Sequence, residues 1–410
     1  MRTIRHSLPL SRCPIQRLCV FLAFLAIASA GPLCSQIAVD SSGSDAVGEA
    51  AISLTSPLDY QVFQRRALMK GKVEIRGQVN AAAGHVADRI EARLTGTSLN
   101  GPLPGQWVRL TFHKATGAFR GSLATIPGGF YSLEVRALRA QQPVAQTTVP
   151  HVGVGEVFVV SGQSNSTNYG EVRQVTATRM VVAFDGTSWR IADDPQPGVQ
   201  DHSSKGSFIP AFGDALYRRY HVPIGVASVG HGSTSVRQWL PAGDPVYVMP
   251  TMTRFVIHDA HNRLVSDGTL FNGMMARIHQ LGKRGFRALL WHQGESDANQ
   301  PPAHQISAEL YRKMMIELIQ ASRKDAGWNF PWFVAEATYH PNQPSSPSFQ
   351  QAQRSLWRKG LAYEGPDTDT LGPEYRQNHG QGVHFNNQGL RKHGEMWAQA
   401  VEVYLDEVLR

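Results

Sequence analysis

Four short segments carry side chains of the kinds that hydrolytic enzymes use. Ser161-Gly162-Gln163-Ser164-Asn165 presents a serine hydroxyl just after a glycine that permits a sharp turn. Gly230-His231-Gly232-Ser233-Thr234 is a glycine-rich turn whose backbone N–H groups could bind an oxyanion. Trp291-His292-Gln293-Gly294-Glu295-Ser296-Asp297 is dense in polar groups, and Gly382-Val383-His384-Phe385 supplies a histidine. A serine nucleophile with a histidine base is the chemistry that these types allow.

Each segment has a purely structural interpretation when it is taken alone. Serines cap helices, glycine pairs form tight turns, and a histidine before a helix is usually structural. The third segment argues against this interpretation, because burying so many polar groups is costly unless they bond to one another.

The segments follow the elements that would have to position them. Continuous apolar runs at 157–160, 224–229, 288–291 and 332–337 predict strands that are buried on both faces of a parallel sheet. Leu310, Met314 and Leu318 recur at helical spacing, and a last helix is predicted from about Gly389 to Leu405, capped by Asn386 or Asn387. Ligands bind at the carboxyl ends of such strands, which is where the first three segments fall.

The chain before this region has a different pattern. Between about 50 and 150, apolar and polar residues alternate between turn-forming residues, which predicts a small antiparallel β-sandwich. The expected organisation is a signal peptide at 1–30, a flexible tether at 31–49, the β-sandwich at 50–150 and an α/β catalytic domain at 151–410.

The N-terminus predicts export. Arg2, Arg5, Arg12 and Arg17 precede or flank an apolar run that ends at Ala28-Ser29-Ala30, and this run is too short for a membrane span. Cleavage would remove four arginines and no acids, lowering the formal charge from +8 to +4. The expected protein is periplasmic or extracellular, has no stable membrane span after cleavage, and has no basic tract for nucleic acid. All three cysteines lie at or before residue 34, which excludes cysteine chemistry in the folded domains.

Taken in order, the four segments resemble the conserved blocks of the sialate O-acetylesterase-like branch of the SGNH hydrolases. The similarity runs from about Gly153 to Arg410, and Trp239 after the second block also matches. The resemblance implies a flavodoxin-like α/β/α fold and removal of O-acetyl groups from carbohydrates, with no metal or other cofactor.

The resemblance also implies roles for individual residues. Ser164 would be the nucleophile and His384 its base, and the oxyanion would be bound by the Ser164 and Gly232 amides and the Gln293 side chain. Family members usually carry aspartate three residues before the histidine, where this chain has Gln381. Gln381 could accept the imidazole N–H without stabilising the imidazolium by charge. The site is then either a Ser/His dyad or is completed by Asp369 or Glu295.

Two other functions are also compatible with the sequence. A glycan-binding module without activity would explain the missing acid, and a metallohydrolase could use His258 and His261, or His292 with Glu295. Trp189, Trp239 and Tyr169 are candidates for sugar contacts, each with a core role as the alternative. The sequence contains no Gly-x-Ser-x-Gly elbow, which disfavours an α/β-hydrolase.

Overall fold

The computed structural model describes residues 52–80 and 87–410. The predicted signal peptide, the tether and the three cysteines lie outside the described residues.

The first part of the described chain is an antiparallel sheet folded over its own core. Strands follow the order β1-β3-β8-β7-β4-β9-β10, and alternate residues such as Val73, Ile75, Leu133 and Val135 fill the interior. This confirms the predicted β-sandwich. The strands are β1 Ile52–Ser56, β2 Val62–Gln64, β3 Gly71–Val79, β4 Arg89–Thr95, β5 Thr97–Ser98, β6 Gly101–Pro102, β7 Val108–His113, β8 Ala118–Thr125, β9 Gly128–Arg139 and β10 Gln142–Gly162.

Strand β10 belongs to both sheets. Its first half pairs with β9 in antiparallel fashion as far as Val154, and its second half, from Glu156, pairs in parallel fashion with two other strands. The change of sequence pattern near Val154 therefore falls inside one continuous strand of 21 residues rather than in a linker.

The second part is a parallel sheet in the order β11-β13-β10-β16-β17-β18, with β12 antiparallel at the edge. Without β11 and β12 this is the 2-1-3-4-5 order of flavodoxin-like folds. All four predicted strands are confirmed, whereas β11 and β18 had not been predicted. The bounds are β11 Val181–Phe184, β12 Trp189–Ile191, β13 Ile224–Ser228, β16 Ala288–His292, β17 Trp332–Glu336 and β18 Tyr363–Asp367; β14 Val256–His258 and β15 Leu264–Ser266 form a separate hairpin.

Helices cover both faces of the parallel sheet, as the predicted α/β/α fold requires. Helices α1 and α6 pack on one face, and α2, α4 and α5 pack on the other. The Asn386 side chain accepts a hydrogen bond from the Gly389 amide and caps α6, which confirms one of the two predicted caps. The helices are α1 Ile209–Tyr220, α2 Thr269–Leu281, α3 Glu295–Ala298, α4 Ala308–Ala326, α5 Pro347–Arg358 and α6 Asn387–Val408.

A buried ionic cluster joins the two sheets where β10 passes between them. Glu156 is fully buried and accepts hydrogen bonds from Arg65 at 2.6 Å, from Arg287 at 2.7 Å and from Gln64 at 2.8 Å. Two guanidinium groups thus share one carboxylate in a place that excludes water. Such a cluster is costly to bury, but removing its only anion is more costly still.

Glu156→Gln is expected to lower the free energy of unfolding by about 3–5 kcal/mol, because the buried Arg65 and the partly buried Arg287 would lose their counter-ion. Urea unfolding followed by tryptophan fluorescence measures the change. The matched control is Glu309→Gln, which breaks an ion pair with Arg312 on the surface, where the Glu309 side chain is 72% exposed. The control should leave stability nearly unchanged, and an equal effect of both variants would contradict the prediction.

Candidate active site

Ser164 lies at the carboxyl end of β10, in a single turn of 3-10 helix at Ser164–Ser166. Gly162 precedes it with φ of +127°, and a Cβ there would lie 2.1 Å from the His292 carbonyl oxygen. Only glycine lets β10 turn away this close to β16. The turn places Ser164, which is 5% exposed, beside the segment that follows β16.

This position is the topological switch point of the sheet. β10 is paired with β13 on one side and with β16 on the other, and the chain leaves the carboxyl ends of all three strands here. In open α/β sheets this is where ligands bind. The first three sequence segments therefore meet where the strand pattern had predicted.

The Asn165 side chain links the loops that carry Ser164 and His384, and it also binds a buried carboxylate. The Asn165 side-chain amide donates to Glu295 Oε1 at 2.9 Å and to the Val383 carbonyl at 3.3 Å. Glu295 Oε1 also lies 3.0 Å from His292 Nε2. Burial opposes the charge on Glu295, but His292 and Asn165 outweigh burial and lower the pKa of its carboxyl to about 2. An ionised Glu295 thus holds Asn165, the residue after Ser164, and Asn165 in turn holds Val383, the residue before His384.

The His384 imidazole is largely buried, with one ring face against the Tyr169 ring, whose centroid is 5.0 Å away. Its Nδ1 lies 2.9 Å from Nε2 of the Gln377 side chain. Burial lowers the pKa of His384 to about 4; the Glu295 charge opposes this shift, and Arg376 and Lys205 add to it. At neutral pH the imidazole is therefore uncharged, which is the form that a base needs.

The three residues considered for the missing acid lie elsewhere. Gln381 is exposed, and Gln377, four residues earlier, makes the contact to Nδ1 that had been expected from Gln381. The Asp369 carboxylate accepts hydrogen bonds from the backbone amides of Thr338 and Tyr339 and from the side chains of Thr338 and Gln350. Glu295 acts on His384 through charge and has no hydrogen bond to it. Among the described residues, none of the three fills the place of a triad acid.

Of the three predicted oxyanion donors, two already have acceptors. The Gly232 amide donates to Asp201 Oδ2 at 2.6 Å. The Gln293 side-chain nitrogen donates to Asp297 Oδ2 at 2.6 Å and to the Thr234 carbonyl at 3.2 Å. Gln293 therefore holds the loops after β13 and β16 together rather than pointing a free donor at the substrate. No hydrogen-bond acceptor for the Ser164 amide is found in the described part of the chain.

With this geometry in view, comparison with known proteins identifies the family. The family model of sialic acid-specific acetylesterases, a group of carbohydrate esterases, matches residues 154–402. The chain belongs to this family. The enzyme is accordingly a carbohydrate O-acetylesterase with the SGNH hydrolase fold, as the sequence resemblance had predicted.

Two solved structures illustrate the similarity of the esterase to other proteins. A carbohydrate acetylesterase from Xanthomonas citri is 18% identical with a TM-score of 0.53, covering 87% of this chain and 76% of that one. A protein from Arabidopsis thaliana is 19% identical with a TM-score of 0.43, covering 61% of this chain and 98% of that one. The search of curated proteins found no match.

Several residues of the esterase that organise the site were missed in the sequence. Gln163 Oε1 accepts the Ser296 amide at the start of α3, and the buried Arg376 donates to the carbonyls of Leu371, Thr368 and Val383. Arg376 thereby fixes the backbone directly before His384. Glutamine next to a nucleophile was a visible signal, but neither Arg376 nor Gln377 stands at a spacing that a motif would reveal.

Of the three aromatic residues considered for sugar contacts in the esterase, two are core residues and one lies at the site. Trp239 is fully buried and Trp189 is 7% exposed, so both are core residues, whereas Tyr169 lies against His384.

The two histidines considered as metal ligands do not lie on one helix: His258 ends β14, and His261 lies in the turn after it. Within residues 52–80 and 87–410, no group of three or more histidine, cysteine or acidic side chains could hold a metal ion. The same residues contain no helix with the length and apolar character of a membrane span.

Proposed function

We propose that the esterase is an exported serine enzyme that removes O-acetyl groups from carbohydrates, either sialic acid or an acetylated polysaccharide. The reaction runs through an acyl-enzyme on Ser164, with His384 as base. The observation that carries the proposal is the pair of hydrogen bonds from the Asn165 side-chain amide. Asn165 follows Ser164, and it binds Glu295 and the carbonyl of Val383, the residue before His384, at the switch point.

The proposed mechanism needs only groups of this chain. His384 Nε2 takes the proton of Ser164 Oγ as the oxygen attacks the acetyl carbonyl. It then gives the proton to the sugar oxygen as the bond from that oxygen to the acetyl carbon breaks, and the sugar leaves as its hydroxyl form. Water repeats the sequence and releases acetate. The oxyanion is bound by the Ser164 amide and by the Gly232 amide, which exchanges Asp201 for the substrate oxygen. The described residues contain no hydrogen bond between Ser164 and His384, and such bonds often form only with substrate.

The Gln377 amide gives His384 a partner that does not fix its tautomer. An amide presents a donor at one end and an acceptor at the other, so it can bond to Nδ1 with or without a proton. Only a protonated Nδ1 leaves Nε2 free to accept the serine proton. The proposed site is thus a Ser/His dyad with an amide in the place of the usual acid.

The acid limb of the pH profile is expected near pH 4, because burial lowers the pKa of the His384 base to about that value. Protonation below this pH removes the base, while Glu295, with a pKa of about 2, remains charged. The measurement is kcat/KM for an aryl acetate between pH 3 and pH 8. An inflection near the ordinary histidine value of about 6.5 would contradict the environment assigned to His384.

Circular dichroism at each pH is the control for unfolding. The folded-state pKa of His384 lies below its unfolded value, so the unfolded chain binds more protons between pH 6.5 and pH 4. This group therefore lowers stability as the pH falls through that window. Only points at which the protein remains folded belong to the activity profile.

Export and the domain bounds are part of the proposal. They rest on the sequence: the signal pattern of residues 1–30, the tether at 31–49, the β-sandwich at 50–150 and the catalytic domain at 151–410. An extracellular or periplasmic enzyme would meet acetylated polysaccharides directly.

The test of the function is acetate release from a small aryl acetate and from an O-acetylated sugar, with and without a chelator. Release from both that resists the chelator is expected for a metal-free esterase. Loss of activity with the chelator would favour the metallohydrolase. Sugar binding without acetate release would favour the glycan-binding module.

A further inference from the structure

Tyr169 touches both groups that would flank the reacting ester. Its ring lies against the His384 imidazole, with the two planes 29° apart. The ring also contacts Gly232, where an added Cβ would lie 2.6 Å from Tyr169 Cε2 and 2.8 Å from both Cζ and Oη. The phenol ring therefore spans the gap between the proposed base and the proposed oxyanion amide.

Hydrogen bonds fix the backbone on both sides of Tyr169. On one side of it the Asn168 carbonyl accepts the Lys205 amide at 2.9 Å, and on the other side Gly170 and Gly206 exchange two backbone hydrogen bonds at 2.9 and 3.0 Å. The Asn168 side chain also donates to the Gln196 carbonyl at 2.9 Å. These bonds fix the backbone both before and after Tyr169, so the Cα from which the ring extends has a defined position.

The chemistry of the ester decides which substrate group meets this ring. The carbonyl oxygen must reach the backbone amides, and the sugar oxygen must reach His384, from where the sugar extends to solvent. The third substituent of the carbonyl carbon is the acyl chain, which has no need to leave the site. Tyr169, a half-buried aromatic side chain between the other two groups, would limit the length of this third one.

We propose that Tyr169 is the wall of the acyl site and restricts the esterase to acetyl groups. The proposal rests on the proposed function and adds a specificity-determining residue to it. A ring packed against Gly232 and His384 leaves little depth for further methylene groups. Each methylene that a tight pocket cannot accept costs about 10-fold to 200-fold in kcat/KM.

The experiment compares kcat/KM for aryl acetate, propionate, butyrate and hexanoate in the wild type, Tyr169→Ala and Tyr169→Phe. The wild type should prefer acetate to butyrate by at least about a hundredfold. Tyr169→Ala should reduce this ratio to below about tenfold, whereas Tyr169→Phe, which keeps the ring, should retain it. The ratio is informative even where His384 is disturbed, because both esters use the same catalytic groups.

Two results would overturn the proposal: a wild type that cleaves butyrate as well as acetate, or an unchanged ratio in Tyr169→Ala. An unchanged ratio together with a loss of activity on an O-acetylated sugar, measured beside the aryl esters, would assign the ring to sugar binding. Tyr169→Leu replaces Tyr169→Ala if the latter does not fold. Failure of the proposed function is distinct, since aryl acetate cleavage would then be absent or would survive in Ser164→Ala.

Discussion

Ser164→Ala is expected to lower kcat for ester hydrolysis by about 10⁴-fold or more, the range found when a serine nucleophile is removed. The thermal unfolding midpoint should stay nearly unchanged, because the Ser164 hydroxyl forms no hydrogen bond with any other described residue. The measurements are initial rates on an aryl acetate and a thermal melt. A serine-directed phosphonate should label the wild type at Ser164, as detected by mass spectrometry.

Ser161→Ala is the matched control for this variant. Ser161 lies three residues earlier at the end of the same strand, is fully buried, and its hydroxyl has no hydrogen-bond partner. Its removal should change neither the rate nor the labelling. Full activity in Ser164→Ala, or equal losses in both variants, would rule out Ser164 as the nucleophile.

Gln377→Glu is expected to raise kcat/KM at pH 7–8 by at least about tenfold, a small part of the roughly 10⁴-fold loss caused by replacing a triad aspartate with an amide. A carboxylate only accepts hydrogen bonds, so it would hold the proton on Nδ1 and stabilise the imidazolium by charge. The same charge should raise the pKa of His384, so that the acid limb moves upward from about pH 4. The full pH–rate profile measures both effects.

The control for Gln377→Glu is Gln381→Glu, which places the same charge in the same loop but on an exposed side chain. It should leave the rate and the acid limb where they are. If Gln381→Glu produced the gain and Gln377→Glu did not, the carboxylate would have to act from the family's usual position. A shift of the acid limb is the decisive readout, since a merely structural change would not move it upward.

The sequence predicted the central sheet well because its strands are buried on both faces. Continuous apolar runs at β10, β13, β16 and β17 have few other interpretations, and the antiparallel part has an equally clear alternation. Strand β18 was missed because it lies at the edge of the sheet, where Tyr363 and Glu364 are exposed and a glycine and a proline follow them. Strand β11 was missed although Val181–Phe184 is a fully buried apolar run like the others. Edge strands owe their conformation to their neighbour more than to their own pattern.

The site could be predicted as a set of segments but not as a set of contacts. The four blocks meet at one end of the sheet, as the strand positions required. The contact between Gln377 and His384 depends on the turn at 377–382. The hydrogen bond from the Gly232 amide to Asp201 depends on where the loop that carries Asp201 folds back. Both contacts depend on how loops that are distant in the sequence pack together, and neither hydrophobic periodicity nor motif spacing predicts such packing.

The continuity of β10 has a consequence for how the enzyme could be divided. A cut at residue 150 would divide this strand: the β-sandwich would lose the pairs that Val152 and Val154 make with β9, and these backbone groups would be left unpaired on the catalytic half. The two halves are therefore poor candidates for exchange between proteins as independent modules.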